Sequence, residues 1–157
     1  MRGQHNTGSF LGRSNQLVIF TDCRSHASII GLNSIGGFVG HVYRGANFIN
    51  SNSYVTFSAG GDNVGGFVGY SSSHVDFDRS QSRATVTGGV RIGGFIGYLR
   101  SANIDNSESH VTVTGRTYIG GFIGRLHRVI ITNVRSTATV TGEERTGGIV
   151  GQNVENL

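Results

Sequence analysis

Gly93-Gly94-Phe95-Ile96-Gly97, set beside Gly120-Gly121-Phe122-Ile123-Gly124, decides the fold. The run also stands at Gly36-Gly37-Phe38-Val39-Gly40 and Gly65-Gly66-Phe67-Val68-Gly69, and it returns as Gly147-Gly148-Ile149-Val150-Gly151. Successive starts differ by 29, 28, 27 and 27 residues. A fixed period of this size marks stacked repeats and outranks local propensity. Two further segments keep step. Arg83-Ala84-Thr85-Val86-Thr87-Gly88 recurs as His110-Val111-Thr112-Val113-Thr114-Gly115 and Thr137-Ala138-Thr139-Val140-Thr141-Gly142, with looser copies from Tyr54 and His26. Phe20, Phe48, Phe77, Ile104 and Ile131 each stand eight residues before Ser28, Thr56, Thr85, Thr112 and Thr139 of these segments, in that order.

Every segment is too short for a helix and carries strand period. In Ala84-Thr85-Val86-Thr87 apolar and hydroxyl residues alternate, which places Ala and Val on one face and both Thr on the other. Val75-Asp76-Phe77, Ala102-Asn103-Ile104 and Val129-Ile130-Ile131 supply a second strand, and the Gly-rich run a third. The inward parity of Ala84 runs back through Ser82 and Ser80 but leaves Phe77 out of phase, so the chain turns between them. Asp22, Asn50, Arg79, Asn106 and Asn133 occupy that turn. Asn and Asp tolerate left-handed backbone best among non-Gly residues, which predicts a stacked corner.

Units of about 27 residues with three short strands cannot bury their apolar edges alone. They must stack with like strands paired in parallel. The expected fold is all-β, a parallel β-solenoid (β-helix) of about five coils of 27–29 residues, three short strands per coil, right-handed as parallel crossovers are. It forms one domain, 1–157: residues 1–16 are an N-terminal extension or partial cap, 17–151 the five repeats, and 152–157 an uncapped end. Phe38, Phe67, Phe95, Phe122 and Ile149 are expected to make one buried stack.

Composition narrows the function classes. The 157 residues include 26 Gly, no Pro and no Trp, without a Gly-X-Y period, which excludes collagen. Charged residues are 14% and hydrophobic ones 36%, so the chain folds rather than stays disordered. All 13 basic residues are Arg, none adjacent to another, and the net charge is +4. Cys23 is the one cysteine, excluding an internal disulfide framework and a Cys-rich zinc site. No segment reaches the roughly 20 apolar residues of a spanning helix, and residues 1–10 lack the apolar centre of a signal peptide.

On the Gly-Gly-Phe-Val-Gly runs, Ile104-Asp105-Asn106-Ser107 and Val113-Thr114-Gly115, the chain resembles the GLUG-repeat family over roughly residues 17–151. Such repeats occur in large bacterial surface and secreted proteins, adhesin-like chains among them. The resemblance implies a surface scaffold or adhesion module, extracellular or at the cell surface, although this chain shows no signal peptide.

The candidate sites follow from the columns. Five Gly runs in register read as tight packing or left-handed turns rather than as a phosphate cradle, which is needed once. Ser25, Ser53, Ser82, Ser109 and Ser136 point inward and read as hydroxyls bonded to neighbouring backbone. Thr85, Thr87, Thr112, Thr114, Thr139 and Thr141, with Thr56 at one end, form an outward Thr-x-Thr ladder about 4.8 Å between coils, a candidate binding face. Such arrays are known on ice-binding solenoids, which makes ice binding the alternative to the structural and adhesive reading. Arg91, Arg116 and Arg145 are a candidate basic edge for a glycan or other polyanion; nucleic acid is disfavoured because only Tyr118 lies near them. His26 and His110 share a column three coils apart, too far for one metal, and Asp76 with Asp78 makes a thin calcium site. No catalytic, metal or cofactor site is assigned, and an enzyme ranks last. The expected partners are the chain itself by end-to-end stacking, or further repeats of a longer parent.

Overall fold

The computed structural model describes residues 2–3 and 5–154; residues 155–157 of the expected uncapped end, and Met1 and Gln4 of the extension, lie outside them. It is an all-β solenoid of about five turns, built of three parallel sheets. The first sheet stacks His5–Gly8, Asn33–Gly36, Val64–Gly65, Val90–Gly93, Thr117–Gly120 and Glu144–Gly147. The second contains Leu11–Ser14, Val39–Val42, Val68–Asp78, Ile96–Asp105, Ile123–Thr132 and Val150–Asn153, with Val18–Thr21 and Ala46–Ile49 continuing the earliest coils. The third carries Arg24–Gly31, Asn52–Ala59 and the split strands Gln81–Ser82 with Thr85–Thr87, Glu108–Ser109 with Thr112–Thr114, and Arg135–Ser136 with Thr139–Thr141.

The Gly-rich run is a corner rather than the middle of a strand. Its first Gly ends a strand of the first sheet, and the residue after Phe opens the long strand of the second. The second Gly explains why nothing larger fits. A Cβ on Gly94 would overlap the carbonyl of Gly121 and the Ser109 hydroxyl, and one on Gly66 would meet Gly94 and Ser82. None of these has a left-handed φ, so the glycines serve close approach between coils rather than turn geometry.

The left-handed positions form two other columns. Asp22, Asn50, Arg79, Asn106 and Asn133 have φ of 46–54°, the corner expected from their residue types. A second column holds Asn6, Ser34, Asn63, Arg91, Tyr118 and Arg145 at φ 50–60°. Arg and Tyr have no intrinsic liking for this region, where a non-Gly residue costs about 1–2 kcal/mol, so stacking imposes it.

Two Phe columns fill the larger core. Phe38, Phe67, Phe95 and Phe122 are fully buried, stacked at centroid separations of 4.9, 4.9 and 4.6 Å. Phe20, Phe48 and Phe77 stack beside them at 5.0 and 4.8 Å, and the two columns meet edge to face at 5.2–5.4 Å. Each ring so placed contributes about 1.5–3 kcal/mol by burial. Ile149 departs from the expected stack, being 37% exposed, because no further rung covers it among the described residues. At the other end the residues expected as an extension add rungs of their own. Gly8 and Leu11 pair with Gly36 and Val39, and the Phe10 ring stacks on Phe38 at 4.9 Å. Gly8-Ser9-Phe10-Leu11-Gly12 is thus a leading copy of the run, with Ser in place of the second Gly.

The second sheet bends midway along its strands, and the coils differ there. Between the paired positions Ser14/Val42/Ser71 and Val18/Ala46/Val75 the first three coils hold three residues, 15–17, 43–45 and 72–74. The next two coils hold two residues, 100–101 and 127–128, so the register shifts between Ser71 and His74. One step from 28 to 27 in the period is this missing residue.

Candidate functional site

The Thr ladder lies on the outer face of the third sheet. Thr56, Thr85, Thr112 and Thr139 are aligned in register, with Ser28 leading them, and Ser58, Thr87, Thr114 and Thr141 form the second rank. All seven candidate threonines are exposed, while Phe57, Val86 and Val113 between them are buried. An exposed rim runs beside them. His26 stacks on Tyr54 at 4.6 Å, Arg83 lies 6.0 Å over the same ring, and His110 is bonded to Thr137 at 2.6 Å. Glu108 accepts from Nε2–H of His110 at 3.0 Å and from Gln81 at 2.9 Å. These bonds, that from His110 first, hold its carboxyl below the usual range.

The inward Ser column bonds to the Gly corner. Ser25, Ser82, Ser109 and Ser136 donate to the carbonyls of Gly37, Gly94, Gly121 and Gly148 at 2.5–2.6 Å, and Ser53 does the same to Gly66. A second inward ladder runs through Ser51, Ser80 and Ser107, whose hydroxyls accept from the backbone N–H of Cys23, Ser51 and Ser80. Cys23 is half-buried at the head of that column. These hydroxyls are consumed by structure.

The three arginines proposed as an edge are not one column. Arg91 and Arg145 share a column with Tyr118 between them, whereas Arg116 aligns with Gly89 and Glu143 two columns away. Aromatic rings interleave with the cations. Arg145 and Arg125 lie 5.1 and 5.2 Å from the Tyr118 ring, and Arg145 donates to its hydroxyl at 2.9 Å. Arg91 covers Tyr98 at 5.7 Å and pairs with Asp62 at 3.4 Å. Tyr70 and Tyr98 stack at 4.9 Å one column away, a contribution that sequence reasoning missed because these tyrosines follow the Gly run rather than precede it. Burial, then the neighbouring Tyr98, raises the Tyr70 phenol.

Beyond Tyr98 the bend opens a groove of about 960 Å³ on the outer face of the second sheet. The extra residue in 72–74 makes one wall. Ser73, Arg100, Ser101, Asn103, His127 and Arg128 face into it, and no carboxylate lines it among the described residues. His127 Nε2 is joined to the Tyr98 hydroxyl at 2.7 Å. Arg100 and Arg128 are exposed and form no ion pair among the described residues.

One arrangement beside the groove has the composition of a nucleophilic relay. His74 contacts Ser101 Oγ through Nδ1 at 2.7 Å and Asp76 through Nε2 at 2.9 Å. A carboxylate only accepts, so Nε2 carries the proton and Nδ1 accepts from Ser101. Asn103 also donates to Asp76 at 3.0 Å. The His74 and Asp76 side chains are 43% and 42% exposed, and the strand of Ser101 is paired on both sides, which engages the backbone donors an oxyanion would need. The cluster is a hydrogen-bonded polar patch. Among the described residues no group of three or more His, Cys, Asp or Glu side chains is placed to hold a metal, and no helix is long and apolar enough to cross a membrane.

Compared with known proteins, the chain matches no protein-family model, no curated protein and no solved structure.

Proposed function

We propose that the chain is a non-enzymatic structural and adhesive repeat module of a surface or extracellular protein, of the GLUG-repeat kind, able to extend end to end. One observation supports this reading: among the described residues no rung covers either end of the Phe column. Phe10 is 47% exposed at one end and Ile149 37% at the other, and open space lies where a Cβ on Gly148 would stand. Exposed strand edges over an apolar column invite continuation by further repeats or by a second copy. Sedimentation velocity over a concentration series tests the self-stacking form. Species that grow with concentration are expected; a particle of constant monomer mass overturns self-assembly. Turnover of a polysaccharide that survives repurification would overturn the non-enzymatic reading.

A second reading, ice binding, is favoured by the in-register Thr ranks. Its test is thermal hysteresis with ice shaping, and their absence removes it.

A further inference from the structure

The groove at the bend collects what an anionic polymer needs. Arg100 and His127 stand on neighbouring rungs, as do Ser101 and Arg128, with His74 on the rung before. Rungs are about 4.8 Å apart, so cations and hydroxyl or amide groups repeat along a track about 10 Å long. Among the described residues neither arginine is paired with a carboxylate and none lines the groove, Asp76 standing at its edge bonded to His74 and Asn103. Beyond the groove, past His127 and Tyr98, stand Arg125 and Arg91 at the aromatic corner, Arg91 already paired with Asp62.

We propose that this groove binds a strand of acidic polysaccharide, its carboxylate or sulfate groups held by Arg100 and Arg128 and its hydroxyls by Ser73, Ser101 and Asn103. The ligand is a polymer because the contacts repeat over successive coils; a single small anion would use one rung. It is a glycan rather than a nucleic acid because the neighbouring rings have little face to offer a base. Tyr70 and Tyr98 cover each other, Arg91 lies over Tyr98, and Arg125 and Arg145 lie over Tyr118. Single-strand binding relies on free aromatic faces as stacking platforms. This assignment names the ligand of the adhesive module and rests on that reading.

The test is titration calorimetry of the whole chain with a polyuronate, a sulfated dextran, uncharged dextran and a single-stranded oligothymidylate. Two double variants remove the same charge: Arg100→Gln with Arg128→Gln in the groove, and Arg83→Gln with Arg135→Gln away from it. Binding of at least one acidic polymer is expected, falling as salt rises, while uncharged dextran gives no heat. The groove pair should weaken binding by about tenfold or more, the scale of two lost charge-assisted contacts, and the control pair by less than about twofold. The polyuronate and sulfated arms tell which acid group is preferred. Equal losses in the two variants would show attraction to net charge alone and overturn the site. No binding of either acidic polymer, or oligothymidylate bound as tightly, overturns the glycan assignment. Sedimentation of the same samples keeps the readings apart: the groove variants should assemble as the parent does.

Discussion

Ser82 donates a 2.6 Å hydrogen bond to the carbonyl of Gly94, twelve residues further along the chain. The bond ties the third sheet to the corner where the next coil begins, and it recurs at every turn. Gly94 approaches so closely that a Cβ there would overlap the neighbouring carbonyl. The hydroxyl and the missing side chain are two halves of one joint.

Ser82→Ala is therefore expected to destabilise by about 1–3 kcal/mol, the range for leaving a buried polar group without its partner. Ser136→Ala, at a less buried rung, should stay within about 0.5 kcal/mol. Urea midpoints with unchanged slopes check both.

Phe95 lies at the centre of its column with no exposed surface. Phe95→Ala should cost about 3–5 kcal/mol, while Phe10→Ala, at the half-exposed end, should cost less. Equal melting temperatures for parent and Phe95→Ala would show that the column bears little of the stability.

Gly94→Ala drives a methyl group into Gly121 and Ser109, and Gly148→Ala meets nothing. The first should fold poorly or not at all. The second should melt with the parent, yet it should stop end-to-end growth in sedimentation, because the incoming rung would meet that methyl group. Growth undiminished in Gly148→Ala would show that the copies associate elsewhere.

His41 is held below its ordinary value of 6.5, first by burial and then by Arg13. Its ring also lies 3.9 Å from that of Tyr43 and 4.6 Å from that of Tyr70. The unfolded chain binds the proton more readily, so this contribution is complete above about pH 6.5 and is lost as the pH falls toward the lower folded value. The melting temperature of the parent should fall in that window, and His41→Gln should flatten the fall.

Thr112→Lys with Thr139→Lys places two charges on an exposed rank. The fold should survive, with a melting temperature close to that of the parent, and any ice shaping should disappear.

The period, the Asn corner, the inward serines and the Phe column were all legible because each depends on residue type recurring at one position. Three features were not. The leading copy at Gly8 to Gly12 was hidden by Ser9 in a Gly position. The second left-handed column passes through Arg91, Tyr118 and Arg145, whose chemistry carries no sign of positive φ; their conformation comes from the coil beneath. The groove depends on where a coil loses one residue. The step from 28 to 27 was visible in the spacing, but its place at 72–74 is set by pairing, which the spacing alone does not contain. For the same reason Arg116 was grouped with Arg91 and Arg145 although it stands two columns aside.

The short bend of the two later coils also bears on how such a chain changes over generations. Repeat arrays grow and shrink by whole units. Duplicating the unit that carries 100–101 would lengthen the cationic track by about 4.8 Å per copy, whereas duplicating a unit whose bend holds no cation, such as that of 15–17, would lengthen the rod without it. Unit number and bend sequence are thus separate dials, one for reach and the other for valency.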